Sequence, residues 1–138
     1  MGNNSAADLL AVAALMLEGE MLAKEEKFNE AIAKLREAVQ REDKLIYDEP
    51  PDWIQPVRHT LGAVLMRAGH PAEAEAVYRE DLTVFPENGW SLLGLRDALT
   101  AQGKTAEAAA VNQRFRKQWA AADITPSTSC YCQTLKAK

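Results

Sequence analysis

One nine-residue segment of this chain occurs twice, 34 residues apart. The segment from Gly69 to Val77 (GHPAEAEAV) returns from Gly103 to Val111 (GKTAEAAAV), with six of the nine positions identical and in register. A third and looser copy, from Glu26 to Leu35, aligns with the first of these at a spacing of 43. Repetition at a fixed period of about 20 to 50 residues is the signature of stacked supersecondary units, so it constrains the fold more than any other feature.

Each copy has the apolar spacing of a helical hairpin. Apolar side chains recur at helical spacing before Gly69 (Leu61, Leu65, Ala68) and after it (Ala74, Val77, Tyr78, Leu82). Pro71 suits the first turn of the second helix, Pro86 ends that helix, and Thr105 is the predicted N-cap of the corresponding helix in the last copy. Because no strand-like alternation of any length interrupts this pattern, we expect an all-α chain of six helices, paired into three hairpins, from about residue 6 to residue 122.

These hairpins define the predicted organisation. We expect one repeat domain over 1–123, with repeats at about 12–45, 55–88 and 89–122, and a flexible Ser/Thr-rich tail over 124–138. The longer first interval places an insert at about 44–54, between the first and second repeats. Gly62 and Ala74 are small enough to let the two helices of the middle hairpin touch.

The spacing of these residues resembles the tetratricopeptide repeat (TPR) family. The middle copy carries the family pattern most fully, at Leu61, Gly62, Gly69, Ala74, Tyr78 and Pro86. The last copy departs from it with Arg96 at a small-residue position, and the first with Glu18 and Glu26 at the expected Leu and turn Gly. The resemblance implies a right-handed α-solenoid that binds a protein or peptide and has no catalytic activity. Segment 47–58 also resembles the C-terminal repeat region of longer bacterial TPR proteins, which implies a module of a larger protein or a relative of one.

In this family, ligands lie in a concave groove lined by the first helix of each repeat. The positions that match the groove here are Met16, Glu20, Lys24, His59, Met66, Arg67, Trp90, Leu93 and Asp97. Their mixture of apolar, aromatic and charged side chains suits a peptide. The Lys and Asn residues with which some family members clamp a C-terminal carboxylate are absent from the matching positions, so we do not expect that ligand.

The insert is a second candidate recognition surface. Tyr47, Glu49, Trp53 and Arg58 lie close together in sequence around two adjacent prolines, and exposed aromatic and Arg side chains on a stiff segment are typical of binding surfaces. The alternative is structural: the prolines break the helix, Tyr47 and Trp53 cover the hairpin, and Arg58 pairs with a nearby acid.

Composition and motifs exclude several classes of function. The net charge of -4 and the absence of a dense basic tract argue against a nucleic-acid partner. The apolar run 9–17 is too short to span a membrane. No phosphate loop or catalytic triad spacing appears, so we expect no enzyme and no cofactor. Glu73 and Glu75 are interpreted as solvated surface.

The two cysteines, Cys130 and Cys132, are among the candidate residues for the main alternative function. They cannot cross-link distant parts of the chain, so a reducing cytoplasm is the expected compartment. A single C-x-C pair is a weak metal signal, and we predict no metal. The alternative function is an accessory or regulatory domain that binds a small molecule or metal through residues 47–59 or these cysteines.

The apolar first helix has no preceding repeat to cover it. Its apolar side chains are Leu9, Leu10, Val12, Ala13, Met16 and Leu17. An uncovered patch of this kind often marks an interface. Two explanations are open: a homodimer through the first helix, or removal of the chain from a longer array of repeats.

Overall fold

A computed structural model describes residues 3–130 and 132 of the protein, and within them all regular structure is helical. The six helices are α1 (Ala6–Lys24), α2 (Phe28–Glu42), α3 (Val57–Arg67), α4 (Pro71–Val84), α5 (Gly89–Ala101) and α6 (Thr105–Gln118). The prediction of an all-α chain with six helices is confirmed. In the described part of the chain, no helix combines the length and the apolar character needed to cross a bilayer.

Local sequence signals begin and end these helices. Ser5 caps α1 by accepting a hydrogen bond from the Asp8 N–H at 3.1 Å, and Asn88 caps α5 by accepting from the Trp90 N–H at 2.9 Å. Pro71 is the first residue of α4, as predicted. The prediction of Thr105 as an N-cap is wrong: Lys104 is the cap residue of α6, and Thr105 is its first helical residue.

The turns inside the three hairpins share one hydrogen-bond pattern. The N–H groups of Lys27, His70 and Lys104 each donate to the carbonyl five residues earlier, at 2.9, 2.9 and 3.0 Å. This is the Schellman arrangement that closes the C-terminus of a helix. The three turns fall at the spacings of 43 and 34 that the sequence repeat predicted.

The residue before each of these donors has a left-handed backbone. Its φ is +80° at Gly69, +72° at Gly103 and +61° at Glu26. Glycine adopts this conformation at little cost, whereas an L-residue with a Cβ is strained there. The first hairpin therefore makes the same turn as the other two with a less suitable residue.

The chain divides after Arg58 into two compact units. In the first unit α1 packs on α2, and Gly19 allows the close approach, because an added Cβ there would lie 2.7 Å from Leu35 Cγ. The buried apolar residues of the two helices are Val12, Met16, Ala23, Ala31, Leu35 and Ala38.

In the first unit, two acidic residues at the end of α2 form hydrogen bonds with the first residues of α3, where the segment following α2 ends. The Val57 N–H donates to the Glu42 carboxylate at 3.0 Å, and Arg58 donates two hydrogen bonds to Asp43 at 2.7 and 2.8 Å. Asn4 holds the middle of the segment: its side-chain amide accepts from the Ile46 N–H at 2.7 Å and donates to Asp52 at 2.9 Å. The segment 43–56 is thus fixed at both ends and in its middle.

In the second unit α5 packs on both α4 and α6. Tyr78 of α4 is 1% exposed, and its ring lies where a Cβ on either Gly62 of α3 or Gly94 of α5 would overlap it. The predicted close approach at Gly62 is confirmed, and Gly94 provides a second one that the repeat alignment did not indicate. Two glycines, one on α3 and one on α5, therefore pack closely on the Tyr78 ring and restrict the position of its hydroxyl.

Candidate functional site

In the second unit, the Tyr78 hydroxyl takes part in a buried hydrogen-bonded arrangement with a residue distant in the chain. Ser129, which follows α6 in the chain, is 3% exposed, and its Oγ lies 2.6 Å from Tyr78 Oη. The same Oγ donates a hydrogen bond to the main-chain carbonyl of His59 at 3.0 Å. We call this arrangement of the His59 carbonyl and the Tyr78 hydroxyl the Tyr78 site.

Trp119 holds the start of the segment that reaches this site. Its indole Nε1 donates to the Ile124 carbonyl at 2.7 Å, and its ring stacks on Phe115 with centroids 5.5 Å apart. The sequence predicts a flexible tail over 124–138. Within that range Ser129 is buried and hydrogen-bonded, while Tyr131 and residues 133–138 lie outside the described residues.

A buried polar network orients His59 beside the site. His59 Nε2 donates to Asp81 Oδ2 at 3.0 Å, and the Ser91 hydroxyl donates to the same oxygen at 2.5 Å. Asp81 is 1% exposed, so these two hydrogen bonds compensate for the burial of its carboxylate. The predicted apolar face of α4 is confirmed at Ala74, Val77 and Tyr78, which are buried. It is wrong at Leu82, which is half-buried, whereas Asp81 is buried.

Electrostatics keep the Tyr78 hydroxyl protonated. Burial raises the pKa of Tyr78 above its usual range, and the charges of Asp97 and Asp81 raise it further. Burial also raises the pKa of Asp97, although its hydrogen bond from Arg96 Nε at 2.8 Å opposes that effect. The site therefore presents one hydroxyl donor and one carbonyl acceptor in acidic surroundings.

The predicted groove residues of the second unit occupy different environments. His59 and Leu93 are buried, Met66 and Asp97 are half-buried, and Arg67 is exposed. Of these, His59 contributes its carbonyl to the Tyr78 site, and Asp97 acts on that site through its charge.

Trp90, the remaining groove candidate in this unit, belongs to an aromatic cluster. It is half-buried, and its ring meets that of Trp119 edge to face, with centroids 5.3 Å apart. Trp90 thus packs against Trp119, the residue that follows α6 and precedes the segment that leads to Ser129.

The groove candidates of the first unit lie along α1. Met16 is buried, Glu20 is half-buried, and Lys24 is exposed in the last turn of the helix. Met16 therefore belongs to the α1–α2 core, and of the three side chains Lys24 is the most accessible to a partner.

The insert residues combine packing and exposure. Arg58 is held by Asp43 with its side chain 13% exposed, as in the structural alternative. Tyr47 is 76% exposed and donates a short hydrogen bond to Glu49, so it does not cover the hairpin. Trp53 is half-buried, and its Nε1 is buried without a hydrogen-bond partner among the described residues.

The two cysteines form a disulfide with each other, so neither thiolate is available to a metal in this structure. Across residues 3–130 and 132, no three His, Cys, Asp or Glu side chains converge on a possible metal position. Disulfides are typical of oxidising compartments, and a cytoplasmic location stays a prediction.

A scan of protein-family models and a search of curated proteins found no match to this chain. The resemblance to the TPR family therefore stays a prediction based on the repeat residues themselves.

Proposed function

We propose that the chain is a protein- or peptide-binding module without catalytic activity, built as a short right-handed α-solenoid of three TPR-like hairpins. The three equivalent Schellman turns, at spacings of 43 and 34, support the repeat architecture. In this proposal the binding surface includes the Tyr78 site. The partner is a peptide segment and not a nucleic acid or a membrane.

The observation that carries this proposal is the position of Ser129. A non-helical segment of chain leaves α6 and places one side chain, 3% exposed, on the Tyr78 hydroxyl and the His59 carbonyl. A surface that buries a polar side chain with its hydrogen bonds satisfied has the chemistry needed to bind a peptide. The chain's own segment is thus an internal example of a peptide ligand.

An NMR titration tests the proposal directly. The full-length Ser129→Glu variant, labelled with ¹⁵N, is titrated to millimolar concentration with a blocked synthetic peptide that has the sequence of residues 124–129. We expect saturable shifts of the amide signals near His59 and Tyr78. Tyr78→Phe in the same background keeps the packed ring and removes the hydroxyl, so it should weaken binding. Absence of saturable shifts in the Ser129→Glu protein would disprove a peptide site at Tyr78.

The exposed side of α1 favours self-association as a second interaction. Leu10, Leu17 and Met21 are 67%, 61% and 57% exposed and repeat at positions i, i+7 and i+11 of one helix. Burial of this stripe against a second copy would remove it from water. Light scattering after size-exclusion chromatography should show a dimer that Leu17→Glu converts to a monomer. A monomeric wild-type protein at high micromolar concentration would exclude this interface.

A further inference from the structure

We propose that the Tyr78 site selects a side-chain hydroxyl such as that of serine, and that the chain's own Ser129 is an internal competitor that a partner's serine must displace. This inference rests on the proposed peptide-binding function and adds the class of ligand and its regulation.

The hydrogen-bond directions at the site specify a hydroxyl group. The His59 carbonyl can only accept, so Ser129 Oγ donates its single hydrogen there, at 3.0 Å. The Tyr78 hydroxyl must then donate to Ser129 Oγ, at 2.6 Å. A single side-chain atom that donates once and accepts at the same time is a hydroxyl oxygen, because an amide nitrogen only donates and a carboxylate oxygen only accepts.

The position of the Tyr78 hydroxyl is fixed before any ligand arrives. Gly62 and Gly94 flank the Tyr78 ring so closely that a Cβ on either would overlap it. A ring held in this way offers its hydroxyl in one place. A ligand with alanine in place of serine would remove the hydrogen bond that the buried Tyr78 hydroxyl makes to Ser129. Sites discriminate strongly against a ligand that leaves a buried polar group without its hydrogen bond.

The charge around the site rejects an anionic side chain. Asp81 and Asp97 both act electrostatically on the Tyr78 hydroxyl, and Asp81 is 1% exposed. A carboxylate at position 129 would add a further negative charge close to the buried carboxylate of Asp81. Ser129→Glu should therefore release the segment from the site without altering the helices.

The tether makes Ser129 a strong competitor. The Trp119 indole holds Ile124, five residues before Ser129, through a 2.7 Å hydrogen bond. A ligand joined to its site by a short linker acts at an effective concentration of about a millimolar. An external peptide can bind only those molecules in which Ser129 has left the site. Its apparent affinity is therefore its intrinsic affinity multiplied by the fraction of molecules with a free site.

The test compares three full-length proteins with two peptides. Wild type, Ser129→Glu and Ser127→Ala are titrated by NMR with the blocked peptide of residues 124–129 and with the same peptide carrying Ser129→Ala. Ser127 is exposed in the same segment, so its substitution is the matched control. Far-UV circular dichroism melts establish that all three proteins are folded.

We expect Ser129→Glu to bind the serine peptide about tenfold or more tightly than wild type does, with Ser127→Ala equal to wild type. The alanine peptide should bind Ser129→Glu about tenfold or more weakly than the serine peptide. Equal binding by wild type and Ser129→Glu would overturn the internal competition, and equal binding of the two peptides would overturn serine selection. Absence of binding in every protein would instead overturn the peptide-binding function on which the inference rests.

Discussion

Arg58 and Asp43 form two parallel hydrogen bonds, of 2.7 and 2.8 Å, that join the start of α3 to the end of α2. The Arg58 side chain is 13% exposed, so the Asp43 carboxylate supplies an opposite charge to a largely buried guanidinium, and Asp43→Asn removes that charge. Because Asp43 is itself 47% exposed, solvent reduces the effect. We expect Asp43→Asn to lower the free energy of unfolding by about 1 to 2 kcal/mol in urea denaturation followed by circular dichroism.

The control for this prediction is the exposed pair Arg41–Glu37, one turn apart on α2 with an N–O distance of 3.3 Å. Pairs of this kind contribute about 0.3 to 0.5 kcal/mol, so Glu37→Gln should change stability little. If Asp43→Asn lowered the free energy of unfolding no more than Glu37→Gln does, the Arg58–Asp43 pair would not be what holds the two ends of segment 43–56 together.

Glu75 makes the stability of the second unit depend on pH. The hydrogen bond from Lys104 at 2.7 Å, with further ones from Gln102 and Arg79, lowers the pKa of Glu75 from its usual 4.5 to about 2. A carboxylate with a depressed folded-state pKa stabilises the protein above its unfolded-state pKa. That stability is lost as the pH falls through about 4.5 toward 2.

We therefore expect Glu75→Gln to lower stability at neutral pH by about 1 to 3 kcal/mol and to flatten the pH dependence below about pH 5. Denaturation curves collected from pH 7 to pH 3 measure both effects, with about pH 4.5 as the start of the loss. Glu73, on the same helix and with a side chain 49% exposed, gives the matched control Glu73→Gln. An unchanged pH profile in Glu75→Gln would show that this carboxylate is not the titrating group.

The turn residue of the first hairpin offers a stabilising substitution. Glu26 has a φ of +61° where the other two hairpins have glycine. Glu26→Gly should relieve left-handed strain and raise the free energy of unfolding by up to about 1 kcal/mol. The opposite kind of change, Gly69→Ala, should lower the free energy of unfolding by about 1 to 2 kcal/mol, because the φ of +80° strains a residue with a Cβ. No atom lies within 4 Å of the added methyl, so a steric clash does not contribute. Thermal melts of both variants test the pair, and a loss of stability in Glu26→Gly would contradict the shared turn geometry.

The sequence was sufficient for the helices and their turns because those signals are local. Apolar spacing, Pro71 and the turn glycines each act within a few residues, and they predicted the six helices that the described residues form. Even the turn at Glu26, which lacks glycine, follows from its alignment with Gly69 at a spacing of 43. The solenoid arrangement and the TPR membership stay predictions.

The candidate site could not be predicted, because its partners are distant in the chain. Ser129 is 51 residues from Tyr78 and 70 from His59, and nothing in the tail's composition indicates a buried serine. Asp81 did carry a signal, since it lies on the same helical face as Ala74 and Tyr78, where an acid requires a buried partner. The prediction that Glu75 is solvated surface is wrong, because its side chain is only 12% exposed and binds Lys104 across the hairpins.

The contact between Gly94 and Tyr78 gives the sharpest test of the packing that underlies the site. A Cβ at position 94 would overlap the distal atoms of the Tyr78 ring, so Gly94→Ala should cost about 1 to 3 kcal/mol through overpacking. In a Tyr78→Leu background those ring atoms are absent, and the same substitution should cost much less. A double-mutant cycle measured by urea denaturation isolates this coupling. Equal costs of Gly94→Ala in both backgrounds would mean that the ring does not lie against α5, and the fixed position of its hydroxyl would no longer account for how Ser129 is held.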